Sequence, residues 1–137
     1  MATTVNEVMT HDPRTLTPDS TVEEAARLMR DDDVGSLPLV EASKCVGTVT
    51  DRDIVMRVVA DGRALDTHVS EIASKQLVTI DPQQSVDEAM RMMAEHQVRR
   101  LPVCEEDGRL VGIVAQADVA RFASEKRTGE TVEQISR

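Results

Sequence analysis

The chain has almost no aromatic side chains. Phe122 is the one aromatic residue among the 137, and both tryptophan and tyrosine are absent. A surface that stacks nucleic-acid bases on aromatic rings is therefore excluded. Acidic residues also outnumber basic ones, with 25 Asp+Glu against 16 Lys+Arg. Because a nucleic-acid footprint needs a basic face, we do not expect nucleic acid as a partner. Only the local Arg99-Arg100 pair leaves that alternative open.

The chain also lacks a long apolar run. No stretch approaches the roughly 18 apolar residues that a membrane-spanning helix needs. The N-terminal residues Met1 to Glu7 lack the basic and apolar pattern of a secretory signal. We therefore expect no membrane partner and a cytoplasmic location.

Cysteine and histidine are scarce, which limits the chemistry available. Cys45 and Cys104 have neither metal-site spacing nor the numbers for a disulfide framework. In a reducing compartment we expect both to be small buried apolar residues. A redox role, or a metal held together with His96, remains the alternative. No serine or cysteine lies in a nucleophile motif, so we expect no catalytic residues, no metal site and no required cofactor.

The most informative feature that the chain does contain is an internal repeat. Residues 22–40 return as residues 86–104, an offset of 64 residues, as from Val22 to Val86. A copy of about 60 residues is marginal for independent folding. We therefore expect one compact module built from two halves, packed about a pseudo-two-fold axis with two related clefts between them. The expected boundaries are 1–64 and 65–124, followed by a polar tail at 125–137.

Each copy has the pattern of a β-α-β-β-α unit, which places the chain in the α/β (α+β) class. Thr21 with Glu24, and Ser85 with Glu88, have the spacing of a capping box at a helix start. The predicted strands of the first copy cover 15–17, 36–41 and 45–50. The second helices of the two copies are predicted at 51–60 and 116–124.

A candidate site lies where the last strand of the first copy meets its second helix. Thr50 offers a hydroxyl there, Asp53 a carboxylate, and the first helical N–H groups are unpaired, which suits phosphate and ribose oxygens. The alternative is structural, because a threonine followed three residues later by an aspartate is itself a plausible helix cap. Both interpretations remain open at this point. In the second copy Asp118 is kept, but Ala115 replaces the hydroxyl.

The second copy adds positive charge that the first lacks. Arg99 and Arg100 precede Leu101-Pro102-Val103, whereas Gly35 and Ser36 hold the matching positions in the first copy. A guanidinium fork matches two phosphate oxygens, although a surface arginine pair can also be simply solvated. Neighbouring residues on a strand point to opposite faces, so at most one of the two faces a given cleft.

These features together resemble a tandem pair of CBS domains, the regulatory module of the cystathionine-β-synthase type. The resemblance rests on the repeat, the Leu-Pro-Val signature and the Gly-h-h-Thr-x-x-Asp signature, where h is apolar, and it covers about residues 5 to 124. It implies two packed β-α-β-β-α repeats and a homodimer in which four repeats form a flat disc. It also implies an adenosine-containing regulatory ligand in a cleft, such as AMP, ADP, ATP, NAD or S-adenosylmethionine.

The resemblance also implies a set of ligand-binding residues. Thr50 and Asp53 would hold ribose and phosphate, with Arg100, and Arg99 beside it, meeting phosphate across the cleft. The adenine would lie near Arg14, Thr15 and Leu16 and against Val34, Gly35, Ser36, Leu37 and Pro38. We expect this cleft to be competent, and the cleft with Asp118 to be degenerate.

The function expected from the sequence is therefore a non-catalytic module that senses an adenine nucleotide and signals through its dimer to an unidentified effector protein. The alternative is a ligand-free, stress-associated interaction or scaffold protein of the same fold. The two differ in whether Thr50, Asp53 and Arg100 converge on a cleft deep enough for a nucleoside.

Overall fold

A computed structural model of the chain describes the backbone of residues 3–136 and the side chains of residues 3–126. The helices are α1 (Val5–Val8), α2 (Val22–Asp32), α3 (Asp51–Ile54), α4 (Val86–His96) and α5 (Gln116–Ser136). The strands are β1 (Thr10–His11), β2 (Ser36–Glu41), β3 (Lys44–Thr50), β4 (Arg100–Cys104) and β5 (Leu110–Ala115). A π-helical turn, Val55–Val59, continues α3, and a 3₁₀ turn covers Val69–Glu71.

The long helices α2 and α4 begin at the residues that the sequence predicts. The Thr21 hydroxyl accepts a hydrogen bond from the Glu24 amide at 3.1 Å. The Ser85 hydroxyl accepts one from the Glu88 amide, also at 3.1 Å. These contacts form the hydroxyl half of each expected capping box and satisfy an amide that the helix leaves unpaired.

The strands form two antiparallel sheets among the described residues. In the first sheet β2 pairs with β3, and Ser36 lies opposite Thr50. In the second sheet β5 lies between β4 and β1, with Arg100 opposite Ala115. Strand β1 therefore extends the hairpin of the second repeat, although its residues precede the first.

The predicted strand at 15–17 does not form. Leu16 makes an isolated parallel bridge with Leu39, in which the Leu16 amide donates to the Pro38 carbonyl at 3.0 Å. The next amide, that of Thr17, instead donates to the Ser20 hydroxyl at 3.0 Å. The next residue that could donate to β2 is Pro18, which has no backbone N–H, so the ladder stops and the segment stays irregular.

The segment that precedes each repeat packs on the other repeat. The Val5 amide donates to the Gln84 carbonyl at 2.8 Å, and the Val69 amide donates to the Ser20 carbonyl at the same distance. The offset of 64 residues relates these two contacts, so the exchange obeys the pseudo-two-fold symmetry. It ties the halves into one module, because neither apolar core is complete without a segment from outside its own hairpin and helices.

Each half has its own apolar core. The first joins buried residues of α2, β2 and β3 with the 3₁₀ segment, namely Leu16, Val22, Ala25, Met29, Leu37, Leu39, Val49, Val58, Val69, Ile72 and Ala73. The second joins α1 with α4, β4 and β5, namely Val5, Met9, Ile80, Ala89, Met93, Leu101, Val103 and Val114. The methionine-rich part of α4 thus packs into the core.

Helix α5 is longer than predicted. The sequence predicts an end at Ser124 and a separate polar tail from Glu125, whereas the helix continues to Ser136. The segment contains no proline and only Gly129 as a weak helix former, so nothing local terminates the helix. The tail side chains from residue 127 lie outside the described part of the chain. No helix within residues 3–136 is both long enough and apolar enough to span a membrane.

Candidate functional site

A cavity of about 280 Å³ lies between the two repeats. Residues from both halves line it, because β1 joins the second hairpin while the start of β2 comes from the first. The lining residues are Thr10, Asp12, Pro13, Arg14, Asp32, Val34, Ser36, Leu37, Pro38, Arg100 and Ile113. Five predicted site residues therefore meet here: Val34, Ser36, Leu37, Pro38 and Arg100. Arg14, which was also expected nearby, joins them.

Apolar and charged groups share this cavity. Val34, Leu37 and Pro38 form an apolar wall, while Arg14 and Arg100 bring two guanidinium groups. The Arg14 side chain is paired with Asp32, with Nε 3.2 Å from the carboxylate Oδ2. Arg14 therefore has its charge balanced within the wall of the cavity. A ligand anion that engaged Arg14 would have to compete with that carboxylate.

Thr50 and Asp53 do not line this cavity but cap helix α3. The Thr50 amide donates to Asp53 Oδ2 at 2.9 Å, and the Asp53 amide donates to the Thr50 hydroxyl at 3.0 Å. This reciprocal capping box is the structural role that the sequence left open. Thr50 still lies close to the cavity, since it is the ladder partner of Ser36, a lining residue.

Asp118 occupies the matching position in the second repeat. Its Oδ2 accepts from the Ala115 amide at 3.2 Å, and its Oδ1 lies 3.4 Å from Arg121 Nη2. Asp118 also borders a second cavity of about 190 Å³, whose other lining residues are Glu7, Val8, Arg121, Phe122 and Glu125. Both carboxylate oxygens of Asp118 are therefore engaged, whereas among the described residues Asp53 uses only Oδ2.

The remaining predicted residues lie outside the cavity lining. Leu16 is 4% exposed and packs in the first core, and Thr15 is exposed. Gly35 accepts a backbone hydrogen bond from Asp51 at 2.9 Å, and Arg99 accepts one from Gln116 at 2.9 Å. These two carbonyls hold the start of each second helix against the neighbouring strand.

Five cavity residues were missed by the sequence analysis: Thr10, Asp12, Pro13, Asp32 and Ile113. Thr10 and Ile113 reach the site because β1 pairs with β5 of the other repeat, a long-range pairing that no local pattern predicts. Asp32 ends helix α2 one residue before Asp33, the residue in the left-handed conformation. The end of α2 was therefore the sequence signal that could have identified Asp32 as a residue of the cavity.

The glycines of the repeated signature have a structural role. A Cβ placed on Gly47 would lie 2.9 Å from the Ser74 carbonyl oxygen, and one on Gly112 would lie 2.8 Å from the Thr10 carbonyl oxygen. The segments near Ser74 and Thr10 therefore pass too close to the backbone at these two positions to leave room for a side chain.

Cys45 and Cys104 are both free and buried, each 6% exposed. Within the described residues, no three His, Cys, Asp or Glu side chains form a group that could hold a metal ion. His96 therefore does not complete a metal site with the two thiols.

The comparisons with known proteins agree with this architecture. The sequence matches the CBS domain family at residues 5–60 and again at 69–125. It is 42% identical over 133 residues to the CBS domain-containing protein YhcV of Bacillus subtilis, covering 96% of this chain and 94% of that protein. It is 37% identical over 135 residues to Hypoxic response protein 1 of Mycobacterium tuberculosis, covering 97% and 94%.

Two solved structures extend the comparison. The crystal structure of Hypoxic Response Protein I with two coordinated zinc ions has a TM-score of 0.80 at 39% identity, covering 87% of this chain and 98% of that one. The CBS domain pair of protein MJ0100, in complex with 5′-methylthioadenosine and S-adenosyl-L-methionine, has a TM-score of 0.81 at 26% identity, covering 92% and 99%. The chain thus belongs to the CBS domain family and consists of a pair of CBS repeats.

Proposed function

We propose that the protein is a non-catalytic regulatory module that binds an adenine nucleotide in the cavity between its repeats. The observation that carries this proposal is the convergence of Arg100 from the second repeat with Val34, Leu37 and Pro38 from the first. An apolar wall with a cation opposite suits a ligand that has a flat base at one end and a phosphate at the other. The complex of MJ0100 with two adenosyl compounds supports an adenosine-containing ligand.

The size of the cavity favours a small member of this ligand class. Its volume of about 280 Å³ is near the lower end of the range of roughly 300–1,000 Å³ for small-molecule sites. The cavity also holds two carboxylates, Asp12 and Asp32, beside its two guanidinium groups. Since added phosphates would meet this negative charge, we expect AMP to bind more tightly than ADP or ATP.

Within this proposal Arg100 holds the phosphate inside the cavity. Asp53 does not line the cavity, and we propose that it holds the ribose at the cavity edge, where its cap partner Thr50 pairs with the lining residue Ser36. Arg100 is half-buried, where a charge-assisted hydrogen bond is stronger than in bulk water. Asp53 keeps Oδ2 in its cap and offers Oδ1 to a ribose hydroxyl. Thr50 positions that carboxylate through the same cap. Gly35 and Arg99 contribute backbone carbonyls that hold the two helix starts, and Asp118 serves the second repeat.

An exposed apolar surface is a candidate interface through which ligand binding could act on a partner protein. On the turn after α3, Val55 is 55% exposed, Met56 51% and Val59 69%. Contiguous apolar side chains at the surface mark interaction sites. We propose that a second copy of the chain covers this surface, forming the disc of four repeats, and that the ligand changes how the dimer meets an effector protein. The ligand can do so only through different affinities for the two states.

One observation favours a second candidate function. Thr50 and Asp53 satisfy each other in the capping box, so neither side chain requires a ligand to explain it. A ligand-free interaction or scaffold protein would keep the same fold and the same exposed apolar surface.

Isothermal titration calorimetry on the purified protein separates the two candidates. AMP, ADP, ATP, NAD, S-adenosylmethionine and adenosine are titrated in turn. The proposal predicts saturable binding of AMP that is stronger than binding of ATP. If no adenine compound gives heat of binding at millimolar concentration, the ligand-free interaction protein becomes the better account.

A further inference from the structure

The two cysteines meet across the interface between the repeats. The Cys45 amide donates to the Gly108 carbonyl at 3.1 Å, and the Leu110 amide donates to the Ser43 carbonyl at 3.1 Å. These bonds attach the start of β3 to the start of β5. On its other side β5 pairs with β4, where Cys104 lies opposite Leu110. One cysteine from each repeat is thus held beside the first residues of β5.

The strand pairing places the two thiols close to each other. The Cys45 thiol also donates a hydrogen bond to the Gly47 carbonyl oxygen at 3.6 Å. Hydrogen bonding from Cys104 is the main cause that lowers the pKa of Cys45. The same contact, together with burial, raises the pKa of Cys104. The pair therefore loses its first proton more readily than an ordinary cysteine and its second far less readily.

We propose that Cys45 and Cys104 are a redox modification site that forms a disulfide between the two repeats. Among the described residues, no third His, Cys, Asp or Glu side chain joins the two thiols in a group that could hold a metal ion. Each side chain is 6% exposed, which admits a small oxidant more readily than a protein one. The co-reactant is accordingly hydrogen peroxide or a small hydroperoxide.

The chemistry proceeds in two steps. The Cys45 thiolate attacks one peroxide oxygen, the O–O bond breaks, and Cys45 becomes a sulfenic acid as hydroxide leaves. The Cys104 sulfur then attacks the Cys45 sulfur, and the sulfenic oxygen leaves as water. In total two thiols and one hydrogen peroxide give one disulfide and two waters. The new S–S bond, about 2.05 Å long, fixes the two repeats relative to each other.

The test uses the full-length protein, fully reduced and then freed of reductant. It is treated with equimolar hydrogen peroxide, alkylated under denaturing conditions, and measured by intact mass and peptide mapping. The proposal predicts a single linked peptide pair containing Cys45 and Cys104, and no intermolecular species. It also predicts that the oxidation rate rises with pH at a midpoint below that of free cysteine.

Unfolding provides a second readout. Because the bond closes a long loop, the oxidised wild type should unfold at a temperature higher by on the order of 10 °C. The control variants C45A and C104A should show no peroxide-dependent rise. In C104A the Cys45 sulfenic acid should persist and react with dimedone.

Two outcomes would overturn the proposal. One is that both thiols stay free while free cysteine in the same tube is fully oxidised. The other is that peroxide gives only sulfinic or sulfonic acids or intermolecular disulfides. The mass measurement on the wild type decides this even if a variant fails to fold.

Discussion

Thr50 and Asp53 cap helix α3 by exchanging two hydrogen bonds, one from the Thr50 amide to the Asp53 carboxylate at 2.9 Å and one from the Asp53 amide to the Thr50 hydroxyl at 3.0 Å. This relationship places the most specific sequence motif in a structural role before any ligand arrives. It also sets the Asp53 carboxylate in a fixed position, which is a condition for recognising a ribose.

Replacement of Asp53 separates these two roles. Asp53→Ala removes the cap and should lower the free energy of unfolding by about 0.5–2 kcal/mol. It should also weaken adenosine binding by roughly tenfold or more, since a hydrogen bond to a charged group is lost. Asp118→Ala is the matched control, because it removes the corresponding cap in the second repeat and should leave adenosine affinity unchanged. The account of the ribose site is wrong if titration calorimetry shows that the Asp53 variant binds adenosine as tightly as the wild type does.

Replacement of Arg100 tests the phosphate role. Arg100→Ala should reduce the affinity for AMP by roughly 10- to 100-fold, the value of a charge-assisted hydrogen bond. The affinity for adenosine should change little, since adenosine has no phosphate. The neighbouring Arg99→Ala is the control, because Arg99 is exposed and does not line the cavity. Equal losses for AMP and adenosine in the Arg100 variant would rule out a phosphate contact.

The segment that contains Met9 and β1 packs closely on Gly112, so we expect substitution of this glycine to lower the stability of the fold. In Gly112→Ala the new Cβ would lie 2.6 Å from Met9 Sδ and 2.8 Å from the Thr10 carbonyl oxygen. We expect overpacking to cost about 1–3 kcal/mol of unfolding free energy, measured by urea denaturation. Gly35→Ala is the control, because its Cβ would meet only the movable Asp51 carboxylate at 3.2 Å. A Gly112 variant as stable as wild type would show that β1 does not pack there.

The apolar surface after α3 predicts the oligomeric state. Val59→Asp puts a charge on the proposed dimer contact and should convert the dimer to a monomer in sedimentation equilibrium. Val46→Asp is the control at another exposed valine, 41% accessible and outside that surface. A Val59 variant that remains dimeric would place the interface elsewhere.

The sequence predicted the elements whose signals are local. Thr21 and Ser85 mark the starts of α2 and α4 through their hydroxyl caps. The repeat itself predicted two halves, and the family comparison confirms two CBS repeats. The helix caps depend on a neighbour three residues away, so a pattern within one segment is enough to find them. The repeat is found by comparing the chain with itself at an offset of 64 residues.

The features that the sequence analysis missed depend on long-range pairing. Strand β1 exists because Thr10 pairs with Ile113, and this partner is about a hundred residues away. The same pairing brings Thr10 to the cavity with Arg100. The residues of the apolar wall were placed in the cleft by the family resemblance, and they line the cavity together with Arg100. The spacing of residues in the sequence does not encode side-chain directions. It therefore cannot predict which carboxylate faces the ligand.

The most direct test of the central claim is a two-dimensional NMR titration of the isotope-labelled protein with AMP. The account predicts saturable chemical-shift changes in the amides of Val34 to Leu37 and of Arg100, with Asp53 among the residues that respond. Amides bordering the second cavity, such as those of Val8 and Phe122, should stay largely unchanged. No saturable change with AMP, or changes confined to the second cavity, would contradict the claim that the space between the repeats is a nucleotide site.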